Sequence, residues 1–116
     1  MSNKIPYSPS LKTNDLLFIS GQVGIDPAIS KLKNESFESE LRQVMDNLLT
    51  ELKAHGLSFQ DLVSTVIYLK DMKQYTELNN VYGSYFNGTY PTRTCIAVTD
   101  LPVGASVEIS GIAQLK

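Results

Sequence analysis

Apolar residues recur with a helical period between residues 36 and 56. Phe37, Leu41, Val44, Met45, Leu48, Leu49 and Leu52 fall at the i, i+4, i+7, i+8 spacing of one buried face. Ser36 is placed to cap this helix, and Glu38 and Glu40 sit in its first turn, where acidic groups suit the dipole. Lys53 and His55 fall in the last turn and Gly56 just beyond it, as a helix end requires. Residues 16–20 (LLFIS) and 62–70 (LVSTVIYLK) read instead as strands. In the second of these, Val63, Thr65, Ile67 and Leu69 share one face. Asp71 with Gln74 resembles a capping box that opens a second helix to about Phe86, with Met72, Tyr75, Leu78, Tyr82 and Tyr85 or Phe86 as its apolar set. Two more strands are expected at about 93–99 and 105–114, joined by residues 100–104 as a hairpin. Residues 1–15 read as an irregular lead-in, and residues 21–35 as loop.

The order strand, helix, strand, helix, strand, strand predicts an α+β two-layer sandwich within one domain, 1–116. It has a mixed β-sheet with two helices packed on one face. The other sheet face is neither polar nor apolar throughout. Ser106, Glu108, Ser110, Ile112 and Gln114 point one way on the last strand, and Val107, Ile109, Ala113 and Leu115 the other. A mixed second face suits a subunit interface with wet pockets, hence a small homo-oligomer.

Composition narrows the function. Hydrophobic residues make up 42% and charged residues 19%, ordinary for a folded domain and against disorder. The net charge of −2 lacks the basic excess that phosphate backbones demand, which argues against nucleic acid as a partner. One cysteine and one histidine argue against a disulfide and against a metal centre. The start of the chain shows no secretory pattern and no stretch has membrane-spanning length, so the expectation is a cytoplasmic protein with no membrane partner.

No Walker, GxGxxG or GxSxG pattern is present. Ser20-Gly21-Gln22-Val23-Gly24 follows a strand but reads more readily as its terminator than as a phosphate loop. Arg93 and Cys95 share a strand face. A hairpin centred on Leu101-Pro102 would set Cys95 opposite Glu108 and bring all three into one patch. That patch is either a salt bridge between Arg93 and Glu108 or a guanidinium fork for a ligand carboxylate, with Glu108 as general acid/base.

With these residues in place, the chain resembles the RidA/YjgF family of reactive-intermediate deaminases from about Ile5 to Ala113. The most specific pieces are Tyr90-Pro91-Thr92-Arg93-Thr94-Cys95, Leu101-Pro102, Val107-Glu108-Ile109 and Ile112-Ala113. Ile19-Ser20-Gly21-Gln22, His55-Gly56-Leu57-Ser58, Tyr68 to Met72 and Asn79 to Tyr82 support them. The resemblance implies a chorismate-mutase-like fold, a homotrimer with clefts between subunits, and no cofactor or metal. It also implies hydrolysis of 2-enamino or 2-imino acids such as 2-aminoacrylate, released by pyridoxal-phosphate dehydratases, to 2-oxo acids and ammonia. Arg93 matches the arginine that grips the substrate carboxylate, Glu108 the glutamate that handles water or protons, and Cys95 a position that contacts ligand mainly through its backbone. Tyr7, Gly21, Tyr75 and Asn79 match positions lining the cleft. Ile5, Pro9 and Ser110 depart from the family pattern. The rival expectation is a regulatory module that binds a small carboxylate in the same cleft without turnover; RNA cleavage fits the charge poorly.

Overall fold

The computed structural model describes residues 5–116. Its strands are β1 (Ser10–Lys12), β2 (Leu16–Gln22), β3 (Ile25–Asp26), β4 (Lys31–Leu32), β5 (Leu62–Leu69), β6 (Thr92–Ala97) and β7 (Val107–Gln114). The helices are α1 (Phe37–Lys53) and α2 (Tyr75–Gly83). Five strands form a sheet in the order β1-β2-β7-β5-β6, while β3 and β4 pair separately. All neighbours in the large sheet run antiparallel except β5 and β6, so the sheet is mixed, with both helices on one face. Among the described residues, no helix is long and apolar enough to cross a membrane.

The apolar stripe of α1 explains its place. Leu41, Val44, Met45, Leu48 and Leu52 are completely buried, against a sheet face carrying Leu17, Ile67, Ile109 and Ala113. Each such side chain contributes about 1.5–3 kcal/mol by leaving water. The Ser36 hydroxyl accepts from the Ser39 N–H, and the Ser39 hydroxyl accepts from the Ser36 N–H, closing the helix start. The helix ends at Lys53, and Gly56 turns the chain at φ 73°, in the left-handed region that glycine adopts freely. His55 lies exposed in that turn, as its helix-end position suggests.

Several expectations change. The lead-in contains β1, which pairs with β2; its residues 1–4 lie outside the described residues. Strand β2 runs on to Gln22 because a register irregularity between Ile19 and Gln22 absorbs Gly21. Val63 is 42% exposed rather than inward, because a similar irregularity between Leu62 and Ser64 turns Leu62 into the core instead. The second helix is shorter than predicted and preceded by a 3₁₀ turn, Met72–Gln74, capped by the Asp71 side chain on the Lys73 N–H. Met72 and Tyr75 consequently leave the apolar face, and Leu78, Val81 and Tyr82 form it.

The largest correction concerns the last two strands. They form no hairpin, because β5 lies between them. A strand, helix and strand with short links close as a parallel crossover, which sets β6 beside β5. The chain from Val98 to Ser106 then passes over the end of β5 and re-enters antiparallel on its other side. The Val98 N–H donates to the Leu69 carbonyl and the Lys70 N–H to the Ser106 carbonyl, so that end of β5 is held from both sides. The crossing spans two strand spacings, roughly 10 Å.

Among the described residues, nothing covers the face of the sheet away from the helices. Leu11, Phe18 and Ile96 are exposed on it, and Val66, Tyr68 and Ile112 are half-buried.

Candidate functional site

Strand register decides which candidate residues meet. Ile67 on β5 pairs with Cys95 on one side and Ile109 on the other, while Tyr68 pairs with Ile96 and Glu108. Cys95 and Arg93 therefore share the helix-covered face, and Glu108 points to the open face. The single patch expected of Arg93, Cys95 and Glu108 does not form within one chain, and neither does an Arg93–Glu108 salt bridge. Inserting β5 between the strands moves Glu108 to the far side of the sheet.

The candidates divide instead into two groups. The first surrounds Arg93. Its guanidinium carbon lies 5.5 Å from the Tyr75 ring centroid and 5.4 Å from that of Tyr82. Both separations are within cation–π range. Arg93 Nη2 donates to the Tyr75 hydroxyl at 3.1 Å. The Tyr82 hydroxyl shares a 2.8 Å hydrogen bond with Thr65, which is buried on β5 directly beside Arg93. Burial pushes the Tyr82 phenol up, against the smaller opposing effects of Thr65 and Arg93. The tyrosine stays neutral, and its hydroxyl is anchored by the Thr65 hydrogen bond. Among the described residues no carboxylate lies within ion-pair distance of Arg93. The fork is held from its sides by the two tyrosines.

Arg93 lines a cavity of about 340 Å³ with Asn79, Tyr82, Tyr90 and Pro91. Asn79 Oδ1 is buried with no donor among the described residues. An orphaned acceptor of this kind costs about 1–3 kcal/mol. Cys95 is half-buried, and burial pushes its thiol up, with Arg93 opposing more weakly. A thiol held protonated is a poor nucleophile.

The second group, Tyr7, Gly21 and Glu108, lines a cavity of about 250 Å³ on the other side of the molecule. Its remaining walls are Ile5, Val23, Ile25, Pro102 and Val103. Burial in these surroundings raises the Glu108 carboxyl above its ordinary value, as a general acid/base requires. Gly21 permits the arrangement: a Cβ there would stand 2.8 Å from Glu108 Cδ.

Three contributors escaped the sequence reading. Thr65 and Tyr82 passed as core residues; their hydroxyls gave no separate signal. Glu40 passed as a first-turn acid but is 1% exposed, and its Oε2 accepts from the Ser106 N–H at 2.7 Å. Its spacing carried the clue. Glu40 lies three residues after Phe37 and four before Val44, inside the apolar stripe. It ties α1 to the start of β7, two residues before Glu108. Gly24 packs against it so closely that a Cβ would lie 2.7 Å from the Glu40 carbonyl oxygen.

Comparison with known proteins places this geometry. Residues 1–115 match the family model Ribonuc_L-PSP, endoribonuclease L-PSP. The chain is 39% identical over 108 residues to the mouse 2-iminobutanoate/2-iminopropanoate deaminase, covering 93% of this chain and 80% of that protein. The crystal structure of RidA from an Antarctic Psychrobacter superposes with a TM-score of 0.92 at 32% identity, covering 98% of this chain and 92% of that one. That of E. coli TdcF with bound serine superposes with a TM-score of 0.92 at 28% identity, covering 97% and 91%.

Proposed function

Because the chain belongs to the endoribonuclease L-PSP family, which is the YjgF/RidA family, we propose that it is a hydrolytic deaminase of 2-enamino and 2-imino acids such as 2-aminoacrylate. The products are 2-oxo acids and ammonia, and the source of substrate is a pyridoxal-phosphate dehydratase. The observation that carries this reading is Arg93. It is a guanidinium clamped by Tyr75 and Tyr82 at the wall of a cavity, with no carboxylate partner among the described residues. A ligand carboxylate matches that fork with two charge-assisted hydrogen bonds. The deaminase name of the mouse relative and the serine bound by the E. coli relative support a small carboxylate-bearing nitrogen compound.

In this reading the catalytic unit is a homotrimer. Glu108 and Arg93 lie on opposite faces of the sheet, so one protomer supplies Arg93, Cys95, Tyr75 and Asn79, and its neighbour supplies Tyr7, Gly21 and Glu108. The exposed apolar residues Leu11, Phe18 and Ile96 become buried where protomers meet. Arg93 fixes the carboxylate and so presents the imine carbon to a water held by Glu108. Water oxygen bonds to that carbon while Glu108 takes the water's proton. Glu108 gives that proton to nitrogen, which leaves a carbinolamine; it then carries the hydroxyl proton of the carbinolamine to the same nitrogen, the carbon–nitrogen bond breaks as the carbonyl forms, and ammonia leaves the 2-oxo acid. No step requires a cofactor. The imine hydrolyses readily in water, so a few factors of ten, at ~1.4 kcal/mol each, suffice.

The decisive test is complementation. Arg93→Ala and Glu108→Gln should each abolish imine hydrolysis. Co-refolded in equal amounts, the two variants should recover about one quarter of wild-type activity, since one shared site in four draws both intact residues from different protomers. No recovery would place both groups in one chain and reject the assembly. An active Arg93→Ala variant would reject the deaminase assignment. Retained pyruvate binding by a wild-type protein without turnover would mark the chain as a carboxylate-binding module.

A further inference from the structure

The loop that crosses β5 holds a valine where valine is a poor choice. Val103 has φ 54° and ψ 22°, in the left-handed region, and Gly104 follows it there at φ 72°. Left-handed backbone suits glycine and asparagine, and a β-branched side chain is among the least compatible. The turn itself gains nothing visible from the isopropyl group, which is 63% exposed and absent from the buried core. What Val103 does is line the Glu108 cavity. Among the described residues, apart from Glu108, Tyr7 and Gly21, that cavity is walled by Ile5, Val23, Ile25, Pro102 and Val103. A carboxylic acid therefore sits against a continuous aliphatic wall, one member of which is kept at a conformational cost.

We propose that Val103 sets the preference for the substrate's side chain, by completing an aliphatic wall beside Glu108 that favours longer aliphatic 2-enamino and 2-imino acids over the three-carbon acid. The inference rests on the deaminase reading above and adds to it the part of the site that reads the carbon chain. Val103 touches the tail of the ligand and none of the reacting atoms. Strain at a functional loop is retained when the strained side chain is needed.

The test uses stable 2-oxo acids as probes of the assembled full-length protein. Calorimetry compares Kd for pyruvate and for 4-methyl-2-oxopentanoate in wild type, Val103→Asn and Val103→Thr. Wild type should bind the longer acid about tenfold more tightly, given about fourfold for each buried methylene less the cost of imperfect fit. Val103→Asn accepts the left-handed backbone and removes the apolar wall. It should raise the melting temperature by roughly 3–6 °C and cut the preference at least about threefold. Val103→Thr keeps the branched shape and the strain, so its melting temperature should stay near that of wild type while the preference still falls. The proposal is overturned if wild type shows no preference for the longer acid, or if both variants retain it. If wild type binds neither acid, the carboxylate site itself is wrong; melting temperatures still report whether Val103 is strained.

Discussion

Gly21→Ala separates the chemistry of Glu108 from the integrity of the fold. The backbone at Gly21 lies outside the left-handed region, so alanine is conformationally acceptable there. The obstacle is the methyl group, which would stand 2.8 Å from Glu108 Cδ and 3.1 Å from its Cγ, with Oε2 closer still. Ordinary contact begins near 3.4 Å, so the carboxylate must retreat by roughly 1 Å. That retreat is inexpensive for stability, because the far end of a flexible side chain yields and a cavity of about 250 Å³ adjoins it. It is costly for catalysis, since a 1 Å misplacement of a reacting group lowers rate by about 100-fold. Gly24→Ala is the matched control. Its new methyl would meet the backbone carbonyl oxygen of Glu40 at 2.7 Å, inside a helix that cannot step aside. Overpacking of this kind costs about 1–3 kcal/mol. Thermal melting and imine turnover, measured with semicarbazide trapping to follow the free imine, should therefore dissociate. Gly21→Ala keeps its melting temperature and loses turnover, whereas Gly24→Ala melts lower. Full activity in Gly21→Ala would show that the carboxylate position beside Gly21 has no part in the reaction.

Glu108 should also report through pH. Burial raises its folded value above the ordinary 4.5, so the folded state holds the proton more tightly than the unfolded chain and stability falls as pH rises between the two values. Melting curves of Glu108→Gln and wild type should converge below pH 4.5 and separate above it, with the variant higher; parallel curves would refute the burial effect. Glu40→Ala strands the N–H of the half-buried Ser106 and should cost about 1–2 kcal/mol in denaturant unfolding, while Glu40→Gln, which keeps an acceptor, should recover most of it. Tyr82→Phe leaves the ring facing Arg93 but orphans the Thr65 hydroxyl. A loss of roughly 1 kcal/mol in stability, with KM for the imine raised more than kcat is lowered, is expected if Tyr82 steadies the fork.

How far a sequence discloses such a site depends on which kind of neighbourhood is involved. Helix α1 was legible almost to its ends, because its signals are local: a stripe of period 3.6, a serine cap, and a glycine at the exit. The partners of Arg93 along the chain were legible for the same reason. Arg93 and Cys95 differ by two residues, and strand parity puts them on one face. Tyr75 and Asn79 were reached through resemblance, and the structure does bring both to the Arg93 side. What local pattern withheld was the relation of Arg93 to Glu108. Parity compares faces only within a strand, and carrying it from β6 to β7 requires the strand order. Treating residues 100–104 as a hairpin made the two strands neighbours and merged the groups. The opposing signal was present: residues 62–69, a helix and residues 92–97 compose a strand–helix–strand unit that closes as a parallel pair, and setting β7 beside β6 would then leave the apolar strand β5 as an exposed edge. Weighing that rule above the short connection puts β5 in the middle. The fork and the acid then fall on opposite faces, and a site that needs both must be assembled from two copies of the chain.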